Sequence, residues 1–235
     1  MSAATLIAVA HGSRSPEPQE NVRRLLDAVR AARPGLNVRE AYIELAEPSV
    51  PDVLRSLAGR AVVVPLLLGN GYHIAHDVAG VAAAHRDGLP CAPALGPSDL
   101  LIDALVDRLA VAEAGSKPEG PVVLAAAGSS DPRAQADVET MAGRLAARLR
   151  RPVVPAYNTS ARPGVAETVV RLRAAGHTSI SIASYLLWPG RFAAEVAEAG
   201  ADFVAGPIGV QPALAELVLA RYDAACLTSA AALTA

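Results

Sequence analysis

The sequence predicts an α/β protein of two tandem domains, each with a parallel sheet flanked by helices. Short apolar runs alternate with segments of helical periodicity along all 235 residues, and a repeated β-then-α order is typical of parallel sheets. The pattern restarts after residues 115–121, a polar segment with two Gly and two Pro, which has the composition of a linker. We therefore predict an N-terminal domain at residues 1–114 and a C-terminal domain at residues 121–235.

Strands are predicted at apolar runs bounded by Gly or Pro, because such runs are typical of strands buried on both faces. Helices are predicted where apolar residues recur at helical spacing, as at Val22, Leu25, Leu26 and Val29. The first half is predicted as strand 6–10, helix 17–32, strand 36–43, helix 50–57, strand 61–68, helix 72–84, strand 91–95 and helix 99–112. The second half is predicted as strand 122–127, helix 133–149, strand 153–157, helix 164–175, strand 179–187, helix 191–199, strand 203–205 and helix 212–225.

The second half repeats the first. Three anchors in the first half recur in the second, between 115 and 119 residues further along the chain. Residues 10–14 align with 126–130, residues 41–50 with 156–165, and residues 67–71 with 186–190. Nearly constant spacing over three anchors indicates an internal duplication.

The aligned halves differ at three strand ends, where the first half has two imidazoles and a carboxylate and the second half has none. These residues are His11, Glu44 and His73, and their counterparts are Ala127, Thr159 and Phe192. The carboxyl ends of parallel strands share one edge of a sheet, so we expect the three side chains to converge. Such a set suits a divalent first-row metal such as iron, cobalt or nickel and can also accept protons.

Further candidates flank these residues. His76 could add a ligand, and Asp77, four residues after His73, could orient its ring. Ser13 and Arg14 precede a predicted helix, where backbone N–H groups and a guanidinium can bind an anion. In a purely structural alternative, which is compatible with the first, the segment only forms a turn that leads into a capped helix.

Composition restricts the class of protein. The net charge is −2 without a basic block, which disfavours nucleic acid as a partner. No apolar run approaches the ~18 residues of a membrane span, and no positive segment precedes the apolar N-terminal residues as in a signal peptide. Cys91 and Cys226 are isolated, which favours a reducing compartment and disfavours a cysteine-ligated metal site. We predict a cytoplasmic protein.

Three motifs together resemble those of the class II tetrapyrrole chelatases. They are His-Gly-Ser-Arg at 11–14, Tyr-Ile-Glu-Leu-Ala-Glu-Pro-Ser at 42–49, and the segment 64–78 with its Gly-Tyr-His. The sequence is most similar to sirohydrochlorin cobaltochelatases and ferrochelatases of the long, two-domain form, in which one half keeps the histidines.

The resemblance implies two flavodoxin-like, chelatase-like domains that face a central cleft, and a lyase that needs no ATP. It implies metal binding and catalysis by His11, His73 and Glu44. Contacts to the polycarboxylate sirohydrochlorin are expected from Ser13, Arg14, Gly71, Tyr72 and Arg191. The metal would be substrate, with no further cofactor: Fe2+ for siroheme biosynthesis is favoured over Co2+ for cobalamin biosynthesis, and Ni2+ is a further option. The chain is expected to act as a monomer or homodimer.

Two other functions stay open at this point. The protein could carry a tetrapyrrole or metal ion without catalysis. It could also be a phosphatase-like enzyme with His11 as nucleophile and Arg14 as phosphate clamp, although His73 would then have no role.

Overall fold

In a computed structural model, residues 3–69, 78–85 and 88–232 are described. The elements in chain order are β1 (Thr5–Ala10), α1 (Pro16–Ala32), β2 (Val38–Tyr42), α2 (Val50–Arg55), β3 (Ala61–Pro65), α3 (Ala79–Ala84), α4 (Asp99–Ala112), β4 (Val122–Ala126), α5 (Pro132–Leu149), β5 (Val153–Tyr157), α6 (Val165–Ala174), β6 (Ser181–Tyr185), α7 (Arg191–Ala197), β7 (Phe203–Val204) and α8 (Pro212–Ala232). Within those ranges no helix combines the length and apolarity that a membrane crossing requires.

Both sheets are parallel, with strand orders β2-β1-β3 and β5-β4-β6-β7. The central strands β1 and β4 are buried along their whole length, as expected for strands covered on both faces. Helix α1 buries the predicted face of Val22, Leu25, Leu26 and Val29. The predicted fold class, two parallel sheets flanked by helices, is confirmed.

The predicted strand at residues 91–95 is not formed. A single bridge joins Cys91 to Val63 of β3, so the first sheet has three strands among the residues described. The N–H of Val63 donates to the carbonyl oxygen of Pro90, and the N–H of Ala92 donates to that of Val63. The next donor of β3 would be residue 65, which is a proline and has no N–H for the ladder. Of the predicted helix at 72–84, residues 79–84 are observed as α3, and its first part lies in residues 70–77, outside the described part of the chain.

The chain divides into two compact units, which differ from the predicted ranges 1–114 and 121–235. Unit 1 consists of Met1–Leu95 and Val210–Ala235, and unit 2 of Gly96–Gly209. Helix α8 packs on α1 and β3, and α4 packs on α5, β6 and β7. The last helix of each sequence repeat therefore belongs to the unit built on the other repeat.

Equivalent arginines hold these helices in place. Arg221 of α8 donates from Nε to the carbonyl oxygen of Ala94 (2.9 Å) and from Nη2 to that of Leu95 (2.8 Å) in unit 1. Arg108 of α4 donates from Nε to the carbonyl oxygen of Ile208 (3.0 Å) in unit 2. Arg221 thus bonds the end of the first stretch of unit 1, and Arg108 bonds the residue before the end of unit 2.

Candidate metal and substrate site

The ends of β1 and β2 are held together by the backbone. The N–H of Glu44 donates to the carbonyl oxygen of His11 over 3.0 Å. Gly12 follows with φ 101°, and a Cβ atom there would lie 1.7 Å from the carbonyl oxygen of Glu44. Glycine is therefore required at Gly12, both for the positive φ and for the close approach of the loop after β2.

This backbone arrangement brings the side chains of His11 and Glu44 together. The Nδ1 atom of His11 lies 3.4 Å from Oε1 of Glu44, and the side chains are 42% and 53% exposed. An imidazole and a carboxylate at this distance, both open to solvent, can share a proton or bind a cation. The expected proximity of these two residues is thus observed, whereas their catalytic and metal-binding roles stay predictions.

The third predicted ligand, His73, follows β3 in the sequence. The N–H of Leu66 donates to the carbonyl oxygen of Val9 over 2.7 Å, so the chain leaves β3 beside the end of β1. His73 lies outside the described residues, as do Gly71, Tyr72, His76 and Asp77. Among residues 3–69, 78–85 and 88–232, no group of three His, Cys, Asp or Glu side chains could hold a metal ion.

Ser13 shapes the turn after His11. Its Oγ accepts from the backbone N–H two residues later (3.0 Å), and its carbonyl oxygen accepts from Nε2 of Gln19 (2.8 Å). The segment then enters α1 with Ser15 at the N-cap, although the Ser15 side chain makes no capping bond. The local structure therefore gives Ser13 a turn-forming role, while its predicted substrate contact remains a prediction.

Arg14 is the cation beside this turn. Its side chain is exposed and has no ion pair or hydrogen bond within the described ranges. A guanidinium in this position can bind a carboxylate of an incoming ligand. The counterpart of Arg14 in unit 2 is Ser130, so the positive charge occurs in the same half as His11 and Glu44.

Unit 2 has the same backbone arrangement at this position but lacks the imidazole and the carboxylate. The N–H of Thr159 donates to the carbonyl oxygen of Ala127 over 3.0 Å. Gly128 has φ 99°, and a Cβ there would lie 1.8 Å from the carbonyl oxygen of Thr159. The two strand ends thus meet as in unit 1, with a methyl group and a hydroxyl where unit 1 has an imidazole and a carboxylate.

The side-chain bonds of the turn are repeated as well. Oγ of Ser129 accepts from the backbone N–H two residues later (3.1 Å), and its carbonyl oxygen accepts from Nε2 of Gln135 (2.8 Å). Since this turn forms in unit 2 without His11 and Glu44, neither residue is needed to build it. Formation of the turn therefore does not account for their presence in unit 1.

Arg191 is the first residue of α7, the helix that follows β6. Its guanidinium lies 4.9 Å from the centroid of the Phe192 ring, and its Nε lies 3.5 Å from Oε1 of Glu195. Phe192, the counterpart of His73, packs against the core of unit 2. The Arg191 side chain is largely exposed, and its contact with substrate remains a prediction.

Two residues at the site were not found from sequence. Gln19 supports the turn, and the recurrence of Gln 116 residues later, at Gln135, was the signal that could have revealed it. Leu45, directly after Glu44, has φ 61° and is 49% exposed. No sequence pattern marks a leucine for such a conformation.

The fold and the site place this chain among α/β proteins whose parallel sheet has an imidazole and a carboxylate, a candidate metal site, at its carboxyl edge. The chain belongs to the CbiX family, whose model matches residues 5–112 and again residues 121–225. The two matches agree with the internal duplication, and the predicted resemblance to class II chelatases is confirmed.

Relatives include enzymes with stated activities. The sirohydrochlorin cobaltochelatase of Methanosarcina acetivorans is 27% identical over 120 residues, 44% of this chain and 92% of the relative. The sirohydrochlorin ferrochelatase of Priestia megaterium is 24% identical over 200 residues, 81% of this chain and 75% of the relative. The structure of SirB from Bacillus subtilis with Fe3+ has a TM-score of 0.84 at 23% identity and covers 97% of each chain, which shows a shared fold.

Proposed function

We propose that this chain is a sirohydrochlorin chelatase, a lyase-class enzyme that inserts a divalent metal ion into sirohydrochlorin without ATP. The observation that carries the proposal is the pairing of His11 with Glu44 at adjoining strand ends, on a turn that unit 2 repeats without either side chain. Family membership and relatives with this activity support the same reaction.

The metal ion is a substrate, so its site must bind it and release it. His11 and Glu44 would supply two ligands and the predicted ligand His73 a third, which leaves coordination positions open for the tetrapyrrole nitrogens. In an alternative arrangement the ion would bind Nε2 of His11, and Glu44, which lies 3.4 Å from Nδ1, would orient the imidazole instead of binding the metal. Fe2+ is our favoured ion over Co2+; SirB structures with Fe3+ and with cobalt are consistent with either metal.

Insertion also requires proton acceptors, because the macrocycle loses two pyrrole protons as the metal enters. A solvent-exposed carboxylate and imidazole 3.4 Å apart can take up a proton and pass it to water. Arg14, and Arg191 as predicted from sequence, would bind the peripheral carboxylates of the substrate.

The experiment is anaerobic metal insertion, followed by the absorption change of sirohydrochlorin with Fe2+ and, separately, with Co2+. His11→Ala, Glu44→Gln and His73→Ala should each lower kcat/KM by about 100-fold or more, because each removes a ligand or proton acceptor. His11→Ala also gives the first half the residue that Ala127 provides in the second, so its fold should persist. Comparison of the two ions tests the preference for Fe2+.

Thr159→Gln is the matched control for Glu44→Gln, because both place a glutamine on the same turn in different units. It should leave insertion unchanged. Rates near wild type in His11→Ala and Glu44→Gln would refute the proposal. A wild-type protein that binds sirohydrochlorin and metal without multiple turnovers would instead be a carrier. Family membership favours neither the carrier nor the phosphatase-like alternative.

A further inference from the structure

One apolar side chain at the site is exposed in a conformation that does not suit it. Leu45 has φ 61° and is 49% exposed, although the left-handed region is unfavourable for residues other than Gly, Asn and Asp. The other large apolar residues exposed in the described ranges, Val111, Val170 and Leu227, lie on helices. Leu45 therefore combines two unfavourable features, exposure and a left-handed backbone.

The second unit shows what the turn itself requires. Ser160 is the counterpart of Leu45 and has φ 55°. The loop in both units keeps the same return contact, in which the N–H of Tyr42 or Tyr157 donates over 3.0 Å to a proline carbonyl oxygen. A small polar residue thus builds this turn, so an exposed leucine is not needed for the fold.

The backbone holds Leu45 at the site. It follows Glu44 directly, and the N–H of Glu44 is bonded to His11. Consecutive Cα atoms are about 3.8 Å apart, so the Leu45 side chain starts within one residue of the candidate metal ligand. We propose that Leu45 packs against the flat apolar face of the tetrapyrrole and positions the ring over the metal; this inference rests on the proposed function.

Leucine is suited to this contact. A macrocycle with charged groups at its rim has an apolar face, which gains from the removal of apolar surface from water. Burial of the exposed half of a leucine is worth about five-fold in affinity, about 1 kcal/mol at 1.4 kcal/mol per ten-fold. The left-handed backbone is a property of the turn in both units, so the apolar side chain of Leu45 is what distinguishes the first.

Leu45→Asn tests the inference, because asparagine tolerates the left-handed region but removes the apolar contact. We expect Kd for metal-free sirohydrochlorin, measured by fluorescence titration, and KM for insertion to rise about five-fold. A contact made equally in the ground and transition states leaves kcat within two-fold. Tm should rise by about 2 °C, since the strain is relieved. Leu45→Met, which keeps the apolar surface, should retain Kd within two-fold.

Ser160→Asn is the matched control, since it places asparagine at the equivalent position of unit 2, and it should leave Kd and KM unchanged. An unchanged Kd in Leu45→Asn with an active wild-type enzyme would overturn this inference alone. A lower Tm in Leu45→Asn would show that Leu45 serves folding, and a loss of self-association without a change in Kd would show a protein-docking role; either would overturn it. Failure of the wild-type protein to bind or metallate sirohydrochlorin would overturn the proposed function.

Discussion

Replacement of Gly12 by alanine should disable the site through the backbone. The new Cβ would lie 1.7 Å from the carbonyl oxygen of Glu44, so the loop must move by about 1.3 Å, from 1.7 to 3.0 Å, to reach even the shortest tolerable contact. A left-handed alanine costs about 1 to 2 kcal/mol, and loss of the hydrogen bond between Glu44 and His11 costs about 1 kcal/mol. We expect unfolding free energy to fall by about 2 to 3 kcal/mol or more, and Tm by about 4 to 12 °C.

Gly128→Ala provides the control with nearly the same structural cost. Its Cβ would lie 1.8 Å from the carbonyl oxygen of Thr159, at φ 99°. Both variants should therefore be destabilised to a similar extent. Because His11 and Glu44 occur only in the first half, Gly12→Ala should also separate this proposed catalytic pair and lower kcat/KM for insertion by about 10-fold or more.

Thermal unfolding and insertion rates, both measured on the same preparations and well below the lower Tm, check this expectation. Equal insertion rates in the two variants would refute the claim that the close approach at Gly12 positions the site. A Tm of Gly12→Ala equal to that of wild type would refute the steric argument.

Three further outcomes follow from contacts outside the site. Glu113→Gln should lower the unfolding free energy measured in urea by about 2 to 3 kcal/mol, because it removes the carboxylate 2.7 Å from Arg151 in a pair whose side chains are only 14% and 11% exposed. Burial raises the pKa of Cys91 to about 11, so alkylation of its thiol, measured by peptide mapping, should be slow at pH 8 and faster at pH 10. The free energy of unfolding should fall as pH rises from about 9 through 11, because the unfolded thiol ionises first. The hydrogen bond from Arg173 lowers the pKa of Asp202, so its contribution to stability is present above the unfolded pKa of about 3.9 and is lost as pH falls through the lower folded pKa. The difference in unfolding free energy between wild type and Asp202→Asn should therefore be largest near pH 7 and shrink as pH falls below about 4.

Several elements could be predicted closely because local pattern determines them. Helix 99–112 and strand 153–157 have the predicted bounds, since apolar periodicity and flanking Gly or Pro specify them. The strand at 91–95 was wrong because apolar content was counted while the missing N–H of Pro65 on the neighbouring strand was not. Helix 212–225 continues to Ala232, since no Gly or Pro follows to end it.

The division into units could not be predicted. Helices α4 and α8 occupy equivalent positions in the repeats, and each buries one apolar stripe. The stripe of α4 is Leu101, Leu105 and Leu109, and that of α8 is Leu214, Val218 and Tyr222. Similar stripes fit either sheet, so the pattern alone does not specify which sheet each helix covers. Tertiary contacts decide this.

Part of the candidate site could likewise be predicted from the sequence, and part could not. His11 and Glu44 could be placed together because neighbouring parallel strands end at one edge, and the structure brings them to 3.4 Å. Leu45 could not be found, because a left-handed leucine contradicts local preference and is specified only by the surrounding loop.

The assignment of α8 to unit 1 has a consequence for how the chain can be divided. A protease cut or a gene split within residues 115–121 would give a first fragment that lacks the helix packed on its own α1 and β3. That fragment would instead end in α4, whose packing partners would be encoded in the other piece. Each sequence repeat therefore needs the last helix of the other to complete its unit, and synthesis as one polypeptide ensures that both are always made together.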